Sequence, residues 1–329
     1  MRNFILRRLF LGLFITFFGA MVVYTVIRSL PTSYVETVAR QRATNPLSTK
    51  TYQEWLDQLN QIYGLDKGII PGFFGWLGNA VQGDFGDSWH FGIPVTQKFN
   101  EVVWYSFIIN IITLMVEIFI AIPLGILAAT KQYSRTDYAI TIFALMGISL
   151  PTFFLATILK YVFSIKLGWF DLYGLTGRFH STMTPWQQVW DMAYHMVLPI
   201  VTLTMLSIGG LMRYTRTNML EVLNSDYIRT ARAKGLPEKA VVNKHAFRNT
   251  LIPLVSYMSY LLPSMFGGAL ITETLFQIPG IGYISFQAIT RGDIPFAMFY
   301  TTFLILLTQV SLLVADIMYA VVDPRVRVN

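Results

Sequence analysis

Phe107-Ile-Ile-Asn-Ile-Ile-Thr-Leu-Met-Val-Glu-Ile-Phe-Ile-Ala-Ile-Pro-Leu-Gly-Ile-Leu127 decides the fold class. Only Asn110, Thr113 and Glu117 interrupt its apolar character. A helix of about 20 such residues extends about 30 Å, the depth of a bilayer's hydrocarbon core. A stretch that is apolar all round has no face to turn toward water. Working outward, the stretch fits a helix over roughly 103–129, and five more fit at 9–29, 138–165, 195–218, 251–275 and 296–321. The whole chain agrees: of 329 residues 54% are apolar and 13% charged, whereas soluble domains carry about 25% charge. The expected fold is an all-α polytopic membrane protein with six transmembrane helices.

The N-terminus is read as a retained span. Arg2, Arg7 and Arg8 precede an apolar run from Leu9 to Ile27. Signal peptides have apolar cores of about 7–15 residues and a small-residue cleavage site, and none follows here. Lys and Arg then set the orientation. With the N-terminus inside, the inner segments 1–8, 130–137, 213–250 and 322–329 hold Lys131, Arg135, Arg213, Arg216, Arg229, Arg232, Lys234, Lys239, Lys244, Arg248, Arg325 and Arg327 besides the first three arginines. The longer outer segments hold fewer. Both termini are therefore expected in the cytoplasm of a cell membrane. The formal charge of +7 does not argue for nucleic acid, because it lies beside apolar spans. No cysteine is present, so neither disulfides nor thiol chemistry arise. Pro151 is expected to break the third span, since proline frees a backbone acceptor.

This gives an N-terminal helix over 1–30, an outer segment over 31–102 and a five-helix core over 103–329. Within the outer segment, Ser48 or Thr49 is expected to cap a helix reaching about Tyr63, with Tyr52, Trp55, Leu59 and Ile62 on one face. A second outer segment, 166–194, carries Trp169, Trp186 and Trp190, residues suited to the membrane interface.

One polar stretch stands apart: Asp226-Tyr-Ile-Arg-Thr-Ala-Arg-Ala-Lys-Gly235, within the inner loop 219–250. Asn224, Ser225 or Asp226 can cap a short helix. Gly235 and Pro237 end it, and a second piece from about Glu238 to Phe247 leads back to the membrane. Composition alone allows two readings: a basic loop held by anionic headgroups, or a knob that fits a soluble partner's cleft.

The order of motifs favours the second reading. Tyr227-Ile-Arg-Thr-Ala-Arg-Ala-Lys-Gly235-Leu, with His245-Ala-Phe-Arg-Asn-Thr-Leu-Ile-Pro253, resembles the ATPase-docking loop of binding-protein-dependent ABC permeases. Tyr63-Gly-Leu-Asp-Lys67, Gly83-Asp-Phe-Gly86, Ile122-Pro-Leu-Gly125, Ser149-Leu-Pro-Thr-Phe153, Thr272-Glu-Thr-Leu-Phe276, Pro279-Gly-Ile-Gly282 and Asp323-Pro-Arg325 extend the likeness along the chain. Together they are similar to the peptide/nickel permease branch, in the subunit usually encoded first of a pair. Where the general pattern has an acidic residue and two alanines, Arg229, Thr230 and Ala231 stand here, a form common in that branch.

The resemblance implies a pore-forming subunit of a type I ABC importer for oligopeptides or dipeptides. The alternatives are nickel chelates, another small solute or a standalone channel. It implies a second homologous permease, two cytoplasmic ATPase subunits and an extracytoplasmic substrate-binding protein. ATP and magnesium would be held by those ATPases, leaving this chain with no cofactor, metal or catalytic residue. Asp226, Tyr227, Arg229, Thr230, Ala231, Arg232 and Gly235 are the expected docking residues.

Charges within spans are functional candidates, because each costs about +2.5 to +3.5 kcal/mol by insertion scales. Glu117 is the candidate pore-lining residue. Lys160 sits where it can snorkel, and Glu273 where it can cap or gate. His195 and His245 read as isolated. No G-x-x-x-x-G-K-[ST], H-E-x-x-H or G-x-S-x-G occurs, so the sequence shows no ATPase or hydrolase motif.

Overall fold

The computed structural model describes residues 2–30, 34–46, 48–259 and 261–322. The Asp323-Pro-Arg325 motif and Arg327 lie outside them. Fifteen α-helices follow one another among the described residues: α1 (Arg2–Ser29), α2 (Tyr34–Ala43), α3 (Tyr52–Ile62), α4 (Ile69–Ala80), α5 (Val95–Thr130), α6 (Arg135–Ser149), α7 (Thr152–Leu159), α8 (Pro185–Leu223), α9 (Asp226–Ala233), α10 (Glu238–Ala240), α11 (Phe247–Ser259), α12 (Leu262–Gly267), α13 (Leu270–Phe276), α14 (Ile281–Thr290) and α15 (Ile294–Val322). Two π-helical stretches, Lys160–Lys166 and Val241–Ala246, continue α7 and α10.

Four stretches, including α1, α5, α8 and α15, are each long and apolar enough to cross a membrane. Two bent pairs bring the number to six when each is counted as one span. The third expected span is not one rod. Arg135–Ser149 and Thr152–Lys166 meet at 103°, because Leu150 is extended ahead of Pro151 (ψ 130°), the conformation that proline imposes on its predecessor. The fifth bends by 42° at Gly268, whose φ of +69° few other residues adopt.

The chain divides into two compact units, which do not follow chain order. One comprises 105–280 with 311–322. Its centre is the α6–α8 pair, where backbones touch. A Cβ on Gly147 would strike the Met205 carbonyl oxygen, and one on Gly209 the Ala144 carbonyl oxygen. Small residues make such close membrane crossings possible. At the far end of the pair, Asp137 accepts both the Nε (2.7 Å) and an Nη (2.8 Å) of Arg216. Arg216, one of the inner positive charges, is thereby paired internally.

The other unit comprises 2–104 with 281–310. Here α3 packs on α2 through Val35, Ala39 and Leu59. Thr51, not Ser48 or Thr49, caps α3. Its backbone N–H donates to Glu54 Oε2 at 2.7 Å, and its hydroxyl accepts from the Glu54 N–H at 3.4 Å, a reciprocal capping box. Ser48 instead accepts from Trp55 Nε1. Ile62, expected on the packed face, is exposed. Buried Asp293 caps α15 by accepting the Phe296 N–H, and it also accepts from Ser88 Oγ and the His90 N–H.

Candidate functional site

The polar stretch after α8 folds as a two-armed knob. Ile228 and Ala231, one turn apart on α9, are buried against Met219 and Leu223 of α8, Ala129 of α5, and Val241, Val242 and Ala246 of the returning arm. Asp226, Tyr227, Arg229, Thr230 and Arg232 all face outward. An i, i+3 apolar pair thus holds a cationic outer face on a packed base. Ile228 was not among the expected docking residues, although its spacing from Ala231 is the signal for it.

The turn between the arms is a Schellman cap. The Gly235 N–H donates to the Arg232 carbonyl at 2.9 Å and the Leu236 N–H to the Ala231 carbonyl at 3.4 Å, the paired bonds that close a helix whose next residue is left-handed. Gly235 supplies that residue, with φ at +77°. Pro237 then starts the second arm. This arm is not a separate helix ending at Phe247, as its length suggested. It passes through α10 and the π turn into α11 without a break.

Arg232 ties the arms together, donating through Nε at 3.1 Å and Nη at 2.7 Å to the two carboxylate oxygens of Glu238. These hydrogen bonds hold the Glu238 carboxyl below the usual range and push the Arg232 guanidinium higher still. Arg229 has only a long contact of 3.5 Å with Asp226, both side chains largely in solvent at 72% and 98%. Thr230 donates its hydroxyl to the Asp226 carbonyl. Of the seven expected docking residues, then, Asp226, Tyr227, Arg229 and Thr230 present an open surface. Ala231 anchors, Arg232 braces and Gly235 shapes the turn. No nucleophile and base are brought together here; the arrangement suits mechanical contact.

The sequence pattern described as binding-protein-dependent transport system inner membrane component matches residues 121–328. The chain belongs to this family. It is a multi-pass permease subunit of an ABC transporter, a class of system that works with ATPase and substrate-binding components. The oligopeptide transport system permease protein AppB of Bacillus subtilis is 37% identical over 85% of this chain and 87% of its own length. The peptide ABC transporter permease y4tP of Sinorhizobium fredii is 30% identical over 98% and 99%. A chain of the MetNI methionine ABC transporter, solved in inward-facing conformations, superposes with a TM-score of 0.54, 17% identity and coverage of 69% of this chain and 97% of that one. That likeness shows the fold of a type I importer permease.

The intramembrane charges of this permease lie in defined places. Glu117 is buried beside a cavity of about 170 Å³, lined by Asn110, Thr113, Ser207 and Ser264 among others. Lys160 does not snorkel. It is buried, donates to the Leu275 carbonyl and lies 4.1 Å from the centre of the Tyr173 ring. Glu273 is a cap: its Oε1 accepts from the Ala269 N–H at 2.9 Å and from Ser106 Oγ at 2.7 Å.

His195 is not isolated. Its buried ring places Nε2 3.0 Å from Asp171 and Nδ1 2.7 Å from the Asp191 carbonyl, while Asp191 also meets His180 at 2.6 Å. The i, i+4 spacing of Asp191 and His195 was visible in sequence; His180 and Asp171 arrive only through the fold of the loop. Among the described residues, no group of three or more such side chains is placed to share a metal ion.

Proposed function

We propose that this permease carries oligopeptides or dipeptides into the cell, with the α9 knob as the seat of its ATPase. The peptide-permease names of its relatives support the substrate class; nickel chelates are the alternative. The observation that carries the docking role is the pairing of an open cationic face with a fixed base. Tyr227, Arg229 and Lys234 are exposed, while Ile228 and Ala231 seat the segment on α8 and the Arg232–Glu238 brace ties it to the returning arm.

In this reading both termini and the 219–250 loop are cytoplasmic, and 31–102 is outside. The core over 103–329 pairs with a second homologous permease. Two ATPase subunits hold the ATP and magnesium, and this chain contributes neither cofactor site nor catalytic residue. A binding protein delivers substrate from outside. ATP-driven closure of the ATPases displaces α9 and shifts the population of inward- and outward-open states, by as much as the partner's affinities for the two states differ. Glu117, beside its polar cavity, meets the substrate's amine.

The test is a mild-detergent pull-down of the tagged chain from its native membrane, with co-purifying proteins identified by mass spectrometry, followed by peptide uptake in vesicles. A second permease and a P-loop ATPase are the expected result, with the ATPase and uptake lost in Gly235→Pro and the second permease kept. Recovery of the chain alone after crosslinking in intact cells, or normal ATPase retention in that variant, overturns it.

A further inference from the structure

We infer that α4, although it belongs to a segment between two spans, lies in lipid hydrocarbon, in the leaflet where α1 ends at Arg28. Ile69–Ala80 contains no charge, and the nearest charged residues are Lys67 and Asp84. Twelve helical residues extend about 18 Å, short of the roughly 30 Å of the hydrocarbon core, so the helix cannot cross it.

One face of α4 is packed on α1 within its apolar run. The Phe73 ring is buried, 5.8 Å from Tyr24 and 5.7 Å from Phe17, with Ala20 and Met298 in the same cluster. Gly72 receives the Tyr24 hydroxyl, which a Cβ there would displace. Phe17 precedes Arg28 by eleven residues, about 16 Å along the helix. α4 thus starts at the charged end of α1, where Arg28 donates to the Leu65 and Lys67 carbonyls, and runs down alongside the apolar run as far as Phe17.

The flank beside Phe73 is apolar and open, through Ile70 and Phe74 of α4 and Val81 just past its end. Phe74 lies 6.3 Å from Phe17, Phe17 5.2 Å from Phe18, and Phe18 4.6 Å from Phe14. Phe14 and Phe18 are themselves exposed on α1. The open face of α4 therefore continues the surface that a membrane span turns to acyl chains, and acyl chains are its occupant. A short apolar helix seated this way is an interfacial anchor. The inference rests on α1 crossing the membrane, and not on the docking or peptide reading.

The chain has no cysteine, so Ile70→Cys and Phe74→Cys can be spin-labelled singly. Phe14→Cys serves as the lipid reference and Asp57→Cys as the aqueous one. Each full-length variant, with the proteins that copurify, is reconstituted in phosphatidylcholine–phosphatidylglycerol vesicles. Collision rates with oxygen and with a neutral nickel chelate are then measured. The expected ratio of oxygen to nickel collisions at 70 and 74 matches that at 14 and exceeds that at 57. A ratio like that at 57 places the face in water. Low rates with both reagents mean that another protein surface covers it. Either result overturns the inference. If Phe74→Cys does not accumulate, Ile70→Cys, outside the ring cluster, decides alone.

Discussion

Gly235 offers a graded test of whether the shape of the docking turn matters. Its φ of +77° is left-handed, and an ordinary L-residue there costs roughly 1–2 kcal/mol, asparagine least. No atom lies within 4 Å of the position a Cβ would take, so Gly235→Ala adds strain without a clash. That strain shifts the ratio of closed to opened turn by about 5- to 30-fold. Gly235→Pro is worse for two reasons: it fixes φ near −65° and removes the N–H that donates to Arg232. The penalty is about 3 kcal/mol or more, on the order of a hundredfold. The Arg232–Glu238 bridge, with side chains 43% and 60% exposed, supplies about 0.2–1 kcal/mol and cannot offset it.

ATPase retention in a detergent pull-down and peptide uptake in vesicles should both fall in the order Gly, Asn, Ala, Pro. The thermal midpoint of the membrane domain should stay put, because no packed side chain changes. Wild-type retention and uptake in Gly235→Pro, or an alanine variant worse than proline, would refute the reasoning.

Charge reversal at Arg229, which has little internal partnership, should weaken ATPase retention at low salt and recover nothing from a change at Asp226; unchanged retention removes Arg229 from the contact. Arg216→Met strands the Asp137 carboxylate, only 4% exposed, and should destabilise the protein by about 3 kcal/mol, whereas Arg216→Met with Asp137→Leu should regain at least half of the lost midpoint in a thermal melt. Glu238 has a lowered pKa, so its support of the turn is present above the ordinary value of about 4.3 and fades as pH falls through the lowered one. Hydrogen exchange at the Leu236 amide should accelerate there, relative to its intrinsic rate, and Glu238→Gln should abolish that dependence. Glu117→Gln keeps the volume; if the carboxylate meets a peptide amine, uptake falls roughly tenfold or more with an unchanged midpoint.

The spans were legible because a bilayer requires only length and apolarity, and Phe107–Leu127 supplies both. The break at Pro151 was legible from proline alone, but its 103° angle was not, because the packing of neighbouring helices sets direction. The capping box Thr51–Glu54 has its signature in the sequence, but Ser48 and Thr49 offer equivalent hydroxyls within three residues, and only the fold selects among them. The turn after α9 was readable from Gly235-Leu-Pro237. The Arg232–Glu238 brace was not, since six residues across a turn follow no helical spacing rule. α4 carries no such signal, because its twelve residues fall below the length that spans a bilayer.

α8 runs unbroken from Pro185 to Leu223, 39 residues, or about 58 Å, and it joins α6 at two places. One is the backbone contact at Gly147 and Gly209, the other the Asp137–Arg216 pair. They lie about 15 Å apart along α6, ten residues at the helical rise. Two attachments forbid the swivel that one would permit, so α6 and α8 form a single lever. A tilt of about 10° imposed at Leu223 carries the Pro185 end roughly 10 Å by the helix length alone. A modest rotation at one end of α8 is thereby carried to the other as a displacement about the width of a helix.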